Sequence, residues 1–481
     1  MLGHLDHQKS LTRNQARLIG AAIAGNILDF FDLFLISFVL AFIVKPWGLT
    51  FGESALVLLS SGVGAMIGAM FWGWLADRIG RRLVFSATIA NFALATGAMA
   101  LTPDGAWVYL AIMRFLVGFG AGGLYCVDLP LVQEFVPVRL RGRIGGLVTA
   151  AVPAGLLLAS LAAATLTDKI GWRGLFVVGM APAFLVLLAR AWVPESPRWL
   201  LSRGRTDLAR RSIAWALNVA PESLPALTTP AHAPADQSPA RLRELGHYPR
   251  SLAASWITNL GIQTGHYGFT MWAPTLLVLI LQIPPSSAAW YMAAISLGGL
   301  AGRFLFAWLS DSIGRRSSGV IFGLGAAVTL SLASFLQTEF LGPLSLFWVT
   351  LIAANIFIDG GFAIVGPYAA EVWPSRLRTT GMGTAYGFGG IGKIIGPMGL
   401  AWIIGSSNVV TPQATIQAIV PAFLYLAAWF VLAGAAFLVL GIETKGRSIE
   451  DLDRELQSEQ GFSTAAHREH LKGEAAGQTR R

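Results

Sequence analysis

Apolar residues in this chain do not alternate with polar ones, nor do they form a narrow stripe at helical spacing. They come in long runs, broken by short clusters of charge, Pro and Gly. A helix needs about 20 apolar residues to cross ~30 Å of hydrocarbon. Twelve stretches meet that length, near residues 17–44, 53–76, 83–102, 106–132, 144–167, 173–193, 250–281, 287–309, 318–337, 343–369, 380–404 and 414–441. The pattern predicts an all-α membrane protein with twelve transmembrane helices. One connection is long, and its middle from Pro221 to Pro239 is rich in Pro, Ala, Ser and Thr, the composition of a flexible linker. The expected division is a six-helix bundle at 1–193, a central loop at 194–249, a second bundle at 250–441 and a tail at 442–481. The polar start from Met1 to Arg17, with no cleavage site after span 1, leads us to expect no removable secretory signal.

Composition agrees. Of the 481 residues 54% are hydrophobic and 13% charged, about half the charge of an ordinary soluble domain. That excludes a soluble enzyme. The one cysteine, Cys126, lies in an apolar run, so neither an internal disulfide nor a thiolate metal cluster is expected. No cofactor is expected either, because glycine-rich stretches such as Gly118 to Gly123 fall inside spans and lack the strand–turn–helix setting of phosphate loops.

The net charge of +9 reflects topology. With the N-terminus placed inside, 28 of the 35 Lys and Arg residues fall in the tails and inner loops, against three (Lys45, Lys169, Arg173) in the outer loops. The positive-inside rule then places both termini in the cytoplasm. It also removes the reason to invoke nucleic acid. The outer loops hold no glycosylation sequon, which fits a bacterial inner membrane.

The two halves repeat. Gly73-Trp-Leu-Ala-Asp77-Arg78-Ile-Gly80-Arg81-Arg82 follows span 2, and Ala307-Trp-Leu-Ser-Asp311-Ser-Ile-Gly314-Arg315-Arg316 follows span 8. A second pair follows spans 4 and 10: Glu134-Phe-Val-Pro137-Val-Arg139-Leu-Arg141-Gly142, and Glu371-Val-Trp-Pro374-Ser-Arg376-Leu-Arg378-Thr-Thr-Gly381. Two motifs recurring in one order six helices apart define two six-helix pseudo-repeats.

These residues resemble the major facilitator superfamily over nearly the whole chain. Pro194-Glu195-Ser196-Pro197-Arg198-Trp199 and Glu443-Thr444-Lys445-Gly446-Arg447-Ser448 are similar to its sugar-porter and organic-ion branches. Gly25-Asn26-Ile-Leu-Asp29-Phe-Phe-Asp32 is similar to its bacterial metabolite:proton and aromatic-acid:proton symporters. The resemblance implies the major facilitator fold, with two bundles rocking around a midplane site. The repeated motifs then suit a gate at the inner face, built from Asp77, Arg81, Arg82, Glu134, Arg141, Asp311, Arg315, Arg316, Glu371 and Arg378. Asp77 is expected to face helix ends or arginines across the bundle interface. The plainer alternative is that the arginines only obey the positive-inside rule.

Ionisable groups at membrane depth are costly unless paired or hydrated, so each is a functional hypothesis. At 1.5 Å per residue, Asp32 lies roughly 22 Å above the inner end of span 1 and Arg114 roughly 12 Å below the outer end of span 4, nearly level in a ~30 Å core. The family's arginine-glycine motif resembles Arg114-Phe-Leu-Val-Gly118-Phe-Gly120. In proton-coupled sugar porters its arginine pairs with a span-1 aspartate, a position that Asp32 fits. Asp29, one turn deeper, is a second proton carrier. Asp128 is closer to the inner end, as a gate or capping residue. Asp359 and Lys393 lie near the middle of spans 10 and 11. They either neutralise each other or leave Lys393 to anchor a substrate carboxylate.

The sugar-binding side chains of the family are missing. Its two span-7 glutamines fall on Gly261 and Ile262, its asparagine on Tyr267, its span-5 glutamine on Thr149 and its span-10 tryptophan on Gly366. A buried polyol needs those partners. In their place stand Gln263, His266, Tyr267, Trp272, Asn355 and Tyr386, the expected substrate contacts beside Lys393 and Asp359. An apolar pocket with a few charged anchors suits a small organic acid. The expected function is proton-coupled symport of an aromatic or hydroxy acid. A proton-coupled drug or organic-cation antiporter and a sugar-like solute porter are the alternatives, and a non-transporting receptor has only a short charged tail to signal with. The expected partners are the substrate, protons and the lipid bilayer, the protein being a monomer.

Overall fold

The computed structural model describes residues 8, 10–137, 140, 151–191, 193–224, 242–374, 377–445 and 447. Arg141 lies outside the described residues, as does most of the Pro221–Pro239 linker. The side chains of Asp77, Cys126 and Asp128 lie outside them too.

The chain is built of helices connected by tight turns. α1 (Arg13–Ile43) begins at a capping box in which Thr12 and Gln15 satisfy each other's main-chain N–H. α2 (Phe51–Ile79) begins the same way with Thr50 and Glu53. α3 (Arg81–Met99) and α4 (Trp107–Phe135) follow. α5 (Ala151–Ala191) is one run of two membrane-length pieces, folded at Gly171, whose φ of 69° and ψ of 170° are non-helical. Two short helices, α6 (Pro197–Ser202) and α7 (Thr206–Leu217), occupy part of the stretch read as central loop. They dock on the first half: Asn14 donates to the Trp215 carbonyl at 2.8 Å, and Phe135 meets the Trp215 ring edge-on.

The second half repeats the plan with α8 (Pro249–Leu281), α9 (Pro285–Ile313), α10 (Arg315–Phe335), α11 (Leu346–Glu371), α12 (Arg378–Gly390), α13 (Gly392–Ile404) and α14 (Pro412–Val439). The span expected at 380–404 is thus two collinear pieces. They meet at Ile391, where the main chain tightens to a three-residue bond onto Phe388. A two-residue hairpin, β1 (Phe340–Leu341) and β2 (Leu344–Ser345), joins α10 to α11. The run pattern gave no sign of it.

Among the described residues, nine helices are long and apolar enough to cross a membrane. α8 is not one of them, because Asn259, Gln263, Thr264, His266 and Thr270 run through it. That departure marks α8 as a helix shielded by its neighbours. Thirteen consecutive residues from Gly265 to Leu277 are buried.

The halves are joined main chain to main chain at the end bearing the α1–α2 and α13–α14 turns. There Phe51 N–H donates to Asn408 O (3.0 Å), Gly52 N–H to Ser406 O (2.9 Å) and Val410 N–H to Leu49 O (2.9 Å). Thr50 and Val409 form an isolated antiparallel bridge. Below this latch Phe51 packs on Trp272, with ring centres 5.6 Å apart.

Candidate functional site

The site grows from two charged clusters, one in each half. In the first, α4 crosses α2 closely because Gly118 carries no side chain, and a Cβ there would strike the Ser61 carbonyl. The crossing brings the Ser61 hydroxyl within 3.0 Å of Arg114 Nη2. The guanidinium also donates to the carbonyls of Asp32 and Leu33 on α1, each at 3.1 Å. The Asp32 carboxylate stands 3.6 Å from Arg114 Nη1, an ion pair without a hydrogen bond. Both side chains are buried, and the Asp32 carboxylate has the Thr96 hydroxyl beside it but no hydrogen bond of normal geometry. Asp29, on the same face one turn earlier, is buried as well. The charge acting most strongly on it comes from the other half, from Lys393, ahead of Asp32 and Arg114.

Lys393 sits at the start of α13, directly after the tightened turn. Its ammonium lies 5.0 Å from the centre of the Tyr267 ring and 6.0 Å from that of Tyr386. Two electron-rich ring faces partly compensate its desolvation. Tyr386 is 39% exposed, the more open of the two rings. Gln263, one turn before Tyr267, points its amide nitrogen at the Tyr386 carbonyl at a long 3.5 Å.

The second cluster gathers around Asp359. Arg303 Nη2 on α9 lies 3.6 Å from its carboxylate, and His266 Nδ1 on α8 lies 3.9 Å away. Asn355, one turn earlier on α11, donates to it at 3.2 Å and to the Ile295 carbonyl at 2.9 Å. The His266 ring is wedged edge-on between Tyr267 (5.1 Å) and Phe362 (5.0 Å), with Phe34 of the first half 6.1 Å away. The Arg303 guanidinium also covers the Phe362 ring at 5.3 Å.

The structure therefore brings Asp29, Asp32, Arg114, Lys393, Tyr267, Gln263, His266, Asn355 and Asp359 into one central region. It divides them differently from one expectation. No ion pair joins Asp359 to Lys393 among the described residues, since Asp359 is taken by Arg303 and His266. Arg303 is the residue that sequence reasoning missed. Trp272 lies apart: it is fully buried, donates its indole N–H to the Pro397 carbonyl at 3.1 Å, and braces the closed end.

At the opposite end the repeated motifs form matching knots. Arg81 pairs with Glu134, which also accepts from Ser196. Arg315 pairs with Glu371 at 3.3 Å and with Asp311 at 2.8 Å, and Thr444 donates to Glu371. Glu195 accepts the main-chain N–H groups of Arg81 (3.0 Å) and Arg82 (3.1 Å), while Glu443 accepts those of Arg315 (2.9 Å) and Arg316 (3.1 Å). Each glutamate thus caps a helix N-terminus, where the helix dipole favours negative charge. Arg378 keeps a buried Nε without a partner. The ion pairs that Arg81 and Arg315 make at this end each lie within one half.

Helices of membrane length, packed as two halves around buried opposite charges, define a membrane transporter rather than an enzyme. The chain belongs to the sugar (and other) transporter family of the major facilitator type, whose model matches residues 18–456. It is 31% identical to the niacin transporter NiaP of Acinetobacter baylyi, over 89% of this chain and 94% of that one. It is 26% identical to the 4-hydroxybenzoate transporter PcaK of Pseudomonas putida, over 83% of this chain and 88% of that one. Among solved structures, the partially occluded inward-open xylose transporter XylE from E. coli superposes with a TM-score of 0.69 at 18% identity. That match covers 91% of this chain and all of that one.

Proposed function

We propose that this transporter is a proton-coupled symporter that imports a small organic anion, an aromatic or hydroxy acid, by alternating access. The observation that carries the reading is Lys393, a cation held at mid-depth by two tyrosine rings and facing the charge of Asp29 in the opposite half. An unpaired ammonium at the centre of a bilayer costs about 3 kcal/mol on insertion scales. Asp29 or a substrate carboxylate meets that cost. When the substrate takes Lys393, Asp29 is left as an uncompensated anion unless it gains a proton. One proton therefore accompanies one anion. Asp32 lies close enough to Asp29 to share the proton, and Arg114 lowers the cost of its ionised form.

Charge balance favours an anion over a cation. Among the described residues Asp29, Asp32 and Asp359 are matched by Lys393, Arg114 and Arg303. An organic cation finds no spare negative charge, whereas an anion with a proton leaves the balance unchanged. Relatives named for niacin and 4-hydroxybenzoate support an aromatic acid. Tyr267, Tyr386 and Phe34 offer ring faces to one.

We place the latched end outside and the motif end in the cytoplasm, with both termini there, in a bacterial inner membrane. This conformation then faces inward. The bundles at 1–193 and 250–441 are the rocking units, and the protein works as a monomer. The test is uptake of labelled aromatic acids into proteoliposomes. The expected result is accumulation that requires an inward proton gradient and is lost in Lys393→Ala. Transport of an organic cation that survives in Lys393→Ala overturns the reading.

A further inference from the structure

The polar atoms on the second-half side of the site are lopsided. Asn355 uses its amide nitrogen on two acceptors, the Ile295 carbonyl and Asp359, which fixes its Oδ1 as an acceptor. That oxygen is buried with no donor. The Asp359 carboxylate, 3.9 Å from His266 Nδ1 and beyond hydrogen-bond distance, favours the tautomer that carries its proton on Nδ1 and leaves Nε2 an acceptor. Neither ring nitrogen has a hydrogen-bond partner, and neither does Gln263 Oε1. Gln263 and His266 are each 1% exposed and share a face of α8, three residues apart. Burying a polar group without a hydrogen bond is costly, and three on one side of a binding site demand an occupant.

We propose that Gln263 and His266 form a recognition end for a hydrogen-bond donor on the substrate, a hydroxyl or ring N–H, with Asn355 and Asp359 as positioning residues behind them. The proposal rests on the organic-anion reading, because it takes Lys393 as the anchor for the other end of the same molecule. The Lys393 ammonium and the His266 ring each lie about 5 Å from the Tyr267 ring centre, so they stand no more than about 10 Å apart. One small aromatic acid carrying a hydroxyl can therefore meet both ends at once.

The test is competition by 3-hydroxybenzoate, 3-methoxybenzoate, benzoate and 4-hydroxybenzoate for binding to the purified full-length transporter. The expected result is at least tenfold tighter binding of at least one of the two hydroxybenzoates than of 3-methoxybenzoate and benzoate. A site with buried polar groups rejects ligands that leave them unpaired. In Gln263→Leu and in His266→Phe the ratio should fall below about threefold. The comparison among ligands on the unaltered chain stands even if a variant fails to fold. Equal binding of the four acids overturns the donor site while leaving the anion reading intact. A preference that survives in both variants overturns the assignment of Gln263 and His266. If none of the acids competes, both readings fall.

Discussion

Each half of the molecule buries an arginine beside an aspartate, and the two pairs are held in opposite ways. In the first half the arginine is well satisfied and the aspartate is not. Arg114 has Ser61 and two main-chain carbonyls, whereas Asp32 has a charge 3.6 Å away and the Thr96 hydroxyl beside it, with no hydrogen bond of normal geometry. In the second half the aspartate is the hub, with Arg303, His266 and Asn355 converging on Asp359. A carboxylate without such hydrogen bonds gains or loses a proton without dismantling its surroundings. A carboxylate that organises three side chains does not. Under the proposed symport, this difference would give proton exchange to the first half and structural and recognition duty to the second.

The largest effect should come from Asp359→Asn. Removing one partner of a buried ion pair costs about 3–5 kcal/mol. Thermal unfolding in detergent should show a marked loss of stability, recovered in part by Arg303→Met on the same chain. Asp32→Asn also removes one partner of a buried pair, but Arg114 keeps the Ser61 hydroxyl and two main-chain carbonyls, so its loss should be the smaller of the two. Equal destabilisation by the two would erase the contrast. The functional ranking should be the reverse. Asp32→Asn or Asp29→Asn should abolish uphill accumulation while counterflow exchange remains measurable, and proton-driven uptake surviving in both would move the proton site elsewhere. The smallest effect is a symmetric control. Glu195→Gln and Glu443→Gln each weaken two charge-assisted main-chain bonds, about 1 kcal/mol apiece at a helix end. Both should shift unfolding by similar small amounts.

The same contrast explains what the amino-acid sequence made legible. Span count, the repeat and the level match of Asp32 with Arg114 follow from hydrophobic length and helix rise, which depend on one helix at a time. Arg303 was hidden because it lies eight residues inside Asp311, where a long side chain passes for one reaching to the membrane surface. The rise that places it about 12 Å deep also places Asp359 about 18 Å above Glu371. That gap is short enough for an arginine to bridge. The partner of Lys393 was not readable, since it depends on which faces of α11 and α13 turn toward each other. Trp272 has the same origin: an aromatic residue on a polar helix reads as a ligand contact until Pro397 is found to accept its indole N–H.

The latch at the closed end has a consequence for how freely this protein's surface can vary. All three of its hydrogen bonds are main chain to main chain. Together they contribute about 3 kcal/mol at ordinary net values, and none depends on the identity, charge or protonation of a side chain. Acid, salt and most substitutions at 49–52 and 405–410 therefore leave it in place. Two residues are exceptions. A Cβ on Gly52 would come within 2.9 Å of the Ser406 carbonyl, and Gly405 holds a φ of 104° that a side chain would strain. Variation in this closure is thus free in chemistry and restricted in volume, and a methyl group added at Gly52 would have to push the Ser406 carbonyl away from the N–H that it accepts.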